Sequence, residues 1–191
     1  MISMSNDDYV DIKAFLHGYK PALTFTPHYI PPFYHPEDVK RLLTYPCIKG
    51  IQPHNKTADI YFQNEELKQS FQLRTKGFDH NEPEFHRILG ETLGFPPLAA
   101  DYFAKELQGL TDRSKRIGIE YNGINFIGSI DIMVECVKWL WDRYPQQYFR
   151  ERDLEINYGR PLNVFQVDYN NVDKLRFIHE QISQLIKQAS A

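Results

Sequence analysis

Residues 116–129 read RIGIEYNGINFIGS, in which Ile117, Ile119 and Tyr121, then Ile124 and Phe126, alternate with other side chains about an Asn122-Gly123 pair. Alternation with period two turns one apolar face toward a core. Asn-Gly supplies the two positive φ angles of a type I′ turn, whose twist matches its flanking strands. The stretch predicts an antiparallel hairpin.

Downstream, Met133, Val137, Leu140, Trp141 and Tyr144 share one helical face and Ile132, Cys136 and Trp139 another. That spacing predicts a central, buried helix over 130–144. Leu154 to Tyr158 and Leu162 to Asp168 flank Gly159-Arg160-Pro161 and read as a second hairpin. A last helix, capped by Asn170 or Asn171, sets Leu175, Ile178, Ile182 and Leu185 on one stripe.

Upstream, Pro96 and Pro97 open a helix whose Ala99, Ala100, Phe103, Ala104 and Leu107 form a narrow face suited to close packing. Before it, Asn81 and Glu84 are spaced as a capping box around Pro83, with Phe85, Ile88 and Leu89 following at helical intervals. Asn64 is positioned to cap a helix carrying Leu67 and Phe71. Ile48 to Gln52 and Ala58 to Phe62 read as strand, turn, strand. Pro36 starts a short helix striped by Val39, Leu42 and Leu43. From Lys20 to Pro36 five prolines forbid helix, so an extended, ordered loop is expected. Ser5 and Asp8 suggest a cap for a first helix over about residues 6–17.

Strand pairs joined by turns, with helices between the pairs, predict an α+β fold: an antiparallel sheet built from hairpins, covered on one side by about six helices. No repeat or low-complexity linker divides the chain, so a single domain over 1–191 is expected, with residues 1–36 as a candidate N-terminal arm and loop.

The 191 residues carry 22 Lys and Arg against 25 Asp and Glu, a net charge of −3, with 42% hydrophobic residues. Such a chain buries one core without staples. The mixed charge disfavours nucleic acid as partner, because backbone phosphates select clustered cations. Residues 130–144 are too short and too charged to cross about 30 Å of hydrocarbon. Residues 1–8 hold Ser, Asn and Asp where an export signal carries Lys or Arg and then an apolar run. Cys47 and Cys136 stand far apart without CxxC company, as incidental thiols do, so a reducing, cytoplasmic address is expected.

Chemistry-bearing clusters are few. Asp79, His80, Glu82, Glu84 and His86 offer five metal or proton-transfer groups, but only Glu82 and His86 are spaced to share a helical face. Two ligands make no site, so no metal or cofactor is expected; the carboxylates suit a helix N-terminus and the histidines a surface. Ser129 after Gly128 lacks the G-x-S-x-G elbow and reads as a helix cap. The loop FTPHYIPPFYH, residues 25–35, mixes aromatics, prolines and imidazoles. Its His28, Tyr29, Phe33, Tyr34 and His35 are the candidate ligand- or partner-binding residues.

Two functions fit. One is a module acting through protein association or homo-oligomerisation, by that loop and an exposed sheet edge. The other is a small enzyme or ligand-binding protein with an aromatic-walled pocket gated by His80, Glu84 and His86 or by Arg113 and Arg116. The polar clusters have sufficient local explanations, which favours the first; convergence of three or more titratable side chains in one cleft favours the second.

Overall fold

The computed structural model describes residues 7–26, 34–51, 57–145, 154–159 and 162–189. Among these are seven α-helices and two antiparallel sheets, of three and four strands, an α+β fold. No helix among the described residues is long and apolar enough to cross a membrane. The chain divides into two compact units, one of Met1–Gly94 with Asn122–Ile124, the other of Phe95–Tyr121 with Asn125–Ala191.

In the first unit α1 (Asp7–Leu16), β1 (Ala22–Phe25), α2 (Pro36–Leu42), β2 (Cys47–Ile51), β3 (Ala58–Phe62), α3 (Glu65–Arg74) and α4 (Pro83–Thr92) follow in order. Its sheet runs β1-β3-β2. β3 is apolar on both faces. Tyr61 joins Leu23 and Phe25 of β1 in a cluster with Ile12, Phe15 and Leu16 of α1 and Val39 and Leu42 of α2. Ile60 and Phe62 alternate to the opposite face, where Phe62 lies 5.6 Å from Phe71 of α3 and Phe71 lies 5.9 Å from Phe85 of α4, ring centre to ring centre. Helices therefore cover this sheet on two sides rather than one.

The second unit holds α5 (Pro97–Leu107), β4 (Arg116–Tyr121), β5 (Ile124–Ser129), α6 (Met133–Arg143), β6 (Leu154–Tyr158), β7 (Asn163–Val167) and α7 (Val172–Ala189). Its sheet runs β5-β4-β6-β7. Between β4 and β5, Asn122 at φ 49° and Gly123 at φ 74°, which fall in the first unit, make the expected I′ turn. Ile117, Ile119, Tyr121, Leu154, Ile156 and Val167 of the sheet are buried, as are Met133, Val137, Leu140 and Trp141 of α6 and Leu175, Ile178 and Ile182 of α7. On α5 the small residues Ala99, Ala100 and Ala104 are buried, and the backbone of Ala99 hydrogen-bonds the Cys136 thiol of α6. The Tyr121 hydroxyl donates to the Tyr144 carbonyl at 2.8 Å, fastening the hairpin to the end of α6.

Several local expectations are corrected. The proline-rich stretch is not all loop, because Ala22–Phe25, lying between Pro21 and Pro27, adds to β3 as an edge strand. Leu43 leaves the α2 stripe and is 55% exposed, since the helix ends at Leu42. The Asn81–Glu84 box does not form: α4 has Glu82 at its N-cap with no side-chain cap, and Asn81 instead donates its backbone N–H to Asp79 in a turn. A 3₁₀ turn, Ile130–Ile132, precedes α6, with Ser129 accepting from the Asp131 N–H at 3.2 Å as the cap. Ser5 lies outside the described residues.

Lys20 is the one buried cation among the described residues of the first unit, 4% exposed. Its ammonium donates to Asp11 at 2.8 Å and to the Gly123 carbonyl at 2.7 Å. Lys20→Met keeps the stem but leaves both acceptors without that donor, and is expected to cost about 2–3 kcal/mol in a urea unfolding series.

Candidate functional site

β2 and β3 pair antiparallel with Cys47 opposite Tyr61. Residues directly opposite share a face, and Asp59, two before Tyr61, shares it too. Past Ile48 the register shifts: Ile51 pairs with Ala58, and Gly50 adopts φ 70°. This irregularity turns the Gly50 N–H to donate to Asp59 Oδ1 at 2.9 Å. Asp59 is only 7% exposed, so that bond offsets part of the cost of burying its carboxylate. Beside it opens a cavity of about 590 Å³ lined by Leu43, Cys47, Lys49, Gly50, Thr57, Asp59 and Tyr61.

Burial first, then the nearby Asp59 charge, pushes the Cys47 thiol above its ordinary range, against the smaller opposing effects of a Tyr61 hydrogen bond and of Lys49 and Lys68. Burial, then charges at Cys47 and Asp59, and the same hydrogen bond push the Tyr61 phenol up as well. Both groups are therefore protonated at neutral pH. The thiolate is the nucleophilic form of cysteine, so the pocket offers neutral donors beside a carboxylate acceptor, with a Lys49 ammonium at its rim, and not an activated thiol.

The residues singled out by sequence fare differently. His28, Tyr29 and Phe33 lie outside the described residues. Tyr34 is half-buried, its ring 5.9 Å from Phe25, against the cluster that also holds Tyr61. His35 is exposed and its carbonyl accepts from the Asp38 and Val39 N–H groups at the start of α2. His86 is not a surface residue, being 4% exposed, and His80 is half-buried, its ring tilted 45° to Phe85 at 4.9 Å between centres. Glu84 is forked onto Arg87, whose hydrogen bond holds its carboxyl below the usual range, and Arg87 also meets Glu91. Among the described residues no three His, Cys, Asp or Glu side chains are grouped to hold a metal ion. Arg113 and Arg116 do share a cleft, in the second unit.

Sequence reasoning passed over Cys47, Asp59 and Tyr61. Two signals pointed to them: the Asp59-x-Tyr61 spacing sets a carboxylate on the same strand face as an aromatic, and Gly50 inside a strand marks a bulge. Comparison of the chain with protein-family models, curated proteins and solved structures finds no match.

Because Asp59 raises the Cys47 pKa, replacing it with a neutral side chain lowers that pKa and increases the thiolate present at a given pH. Asp59→Asn is expected to speed iodoacetamide alkylation of Cys47 at pH 8 by about threefold to tenfold, read by intact mass. Cys136, pushed up to about 12 by burial, stays unlabelled in both proteins.

Proposed function

We propose that this protein binds a small molecule in the first unit's cavity and that it holds this ligand rather than attacking it. The observation that carries the reading is the convergence of Cys47, Lys49, Asp59 and Tyr61 on one space of about 590 Å³, within the range of ligand pockets. A phenol and a thiol that stay protonated suit a ligand with hydrogen-bond acceptors, and the exposed side chain of Leu43 suits an apolar portion. Asp59 retains acceptor capacity for a ligand N–H or O–H. His28, Tyr29 and Phe33 remain proposed contact residues. The chain that carries them leaves β1 at Phe25, whose cross-strand partner is Asp59. A cytoplasmic address belongs to the same proposal, supported by two free thiols.

A second reading, self-association, is favoured by β7. Its sequence, NVFQV, has no charge and no proline, it pairs with β6 in unbroken register, and Val164 is 51% exposed. Lys, Pro and bulges are what ordinarily blunt an edge, and β2 has two of them in Lys49 and its register shift. A protein or second copy as partner is thus proposed through that edge.

The two readings are separated by experiment. In a nitrogen-15 correlation spectrum, amino-acid amides and short aryl alcohols used as probes are expected to shift Cys47, Gly50 and Asp59. Tyr61→Phe is expected to weaken the best probe by about fivefold to tenfold through loss of one buried hydrogen bond. Shifts confined to other residues would overturn the pocket. Sedimentation velocity reads the edge: a dimer that Val164→Lys converts to monomer supports pairing, and a monomeric parent at 100 μM, about the ceiling for weak pairing of this kind, removes it.

A further inference from the structure

In β4 the backbone of Gly118 does not take the positive φ that only glycine tolerates freely. A Cβ built on it would meet nothing closer than Asn157 Cβ at 3.5 Å, an ordinary contact. Neither conformation nor packing asks for glycine there, yet glycine weakens a strand interior and often marks a bulge, a tight bend or a close approach to the backbone. β4 pairs with β6 in unbroken register at Gly118, which leaves no bulge between those two strands there. Alternation places Gly118 on the face opposite buried Ile117 and Ile119, level with Asn157 on β6, its register partner. The two-residue turn sets Ile127 of β5 on its other side. Gly118 is thus the floor of a trough with an amide on one flank and an aliphatic side chain on the other, and the cleft it belongs to measures about 630 Å³.

Arg113 and Arg116 line the same cleft. Arg116 Nη1 lies 3.3 Å from Glu106 Oε1, a carboxylate with 9% of its side chain exposed. This contact orients the guanidinium while using one of its five N–H donors. No acidic side chain among the described residues pairs with Arg113, and the neighbouring Asp112 is occupied by the Ser114 N–H at 2.9 Å and hydroxyl at 2.7 Å. A fork of donors beside a flat floor fits a planar molecule with an anionic end.

We infer that this cleft is a second ligand site, for a small ring-bearing phosphate whose ring lies on Gly118 between Ile127 and Asn157 and whose phosphate meets Arg113 and Arg116. The site shares no residue with the cavity of the first unit, so its fate is independent of that reading.

Titration calorimetry with phenyl phosphate, inorganic phosphate, benzoate and phenol tests it. Phenyl phosphate is expected to bind at least about tenfold tighter than inorganic phosphate, with phenol undetectable. Benzoate binding as tightly as phenyl phosphate would overturn the preference for phosphate. Arg113→Ala is expected to weaken both phosphates about tenfold. Gly118→Ala, which the spacing to Asn157 accommodates, is expected to weaken phenyl phosphate about fivefold, leave inorganic phosphate unchanged, and melt no lower than the parent. Equal affinity for the two phosphates, or indifference of phenyl phosphate to Gly118→Ala, overturns the site. So does tight, steeply salt-dependent binding of a short single-stranded oligonucleotide without phenyl phosphate binding, which would assign the face to nucleic acid.

Discussion

Strand β3 must be dry on both faces, and the rest of the first unit follows from that constraint. A strand buried on two sides carries a continuous apolar run, here Ile60, Tyr61 and Phe62, none more than 2% exposed. Tyr61 takes α1 and α2 as its cover, while Phe62 takes α3 and, through Phe71, α4. At the strand's start the same alternation drives a carboxylate inward, because Asp59 shares the face of Tyr61. A buried carboxylate needs donors. The irregular register of β2 supplies one from Gly50, and the cavity opens where the regular ladder gives way. The pocket is therefore the place where a demand for apolar cover meets a side chain that cannot satisfy it.

The sheet of the second unit obeys a looser rule. Its buried face carries Ile117, Ile119, Tyr121, Leu154 and Ile156, and α6 and α7 lie in that unit with buried stripes of their own. Its other face bears Arg116, Gly118 and Glu120 on β4, and Glu155 and Asn157 on β6, residues that are half-buried or exposed. Glu120 stands directly opposite Glu155, an unfavourable pairing of like charge across the strands. Gln166 on β7 relieves it in part by donating to Glu155 at 3.3 Å. A face with an interior glycine that neither conformation nor packing requires has not been shaped for strand stability alone.

Much of this was legible in the residues. The I′ hairpin rested on Asn122-Gly123, whose positive φ angles few other pairs adopt, and the long stripes of α6 and α7 rested on periodicity over three or more turns. Asn64 and Asn171 each cap as their chemistry suggests, accepting from Leu67 at 2.9 Å and Lys174 at 3.1 Å. What stayed hidden was tertiary. β1 is four residues long and gains its structure from pairing with a strand more than thirty residues on, which no local pattern reports. His86 reads as a surface residue beside Glu82 and Glu84, but it is buried on α4, its ring edge-on to Phe85 at 5.9 Å. The separation of the strands into two sheets has no local signature either, because hairpins look alike whichever sheet they join. The cavity beside Asp59 depends on a one-residue irregularity in register, a detail that alternation alone averages away.

The distribution of indole rings has an optical consequence. The chain's two tryptophans are Trp139 and Trp141, neighbours but one on α6, and both belong to the second unit. Trp141 is 3% exposed, 6.1 Å from the ring of Tyr169. Intrinsic emission excited at the red edge is thus a private channel for that unit. Far-ultraviolet ellipticity, by contrast, sums the helices of both. Followed side by side during denaturation, the two signals distinguish one cooperative transition from two, so the molecule carries its own reporter of whether its halves melt as one.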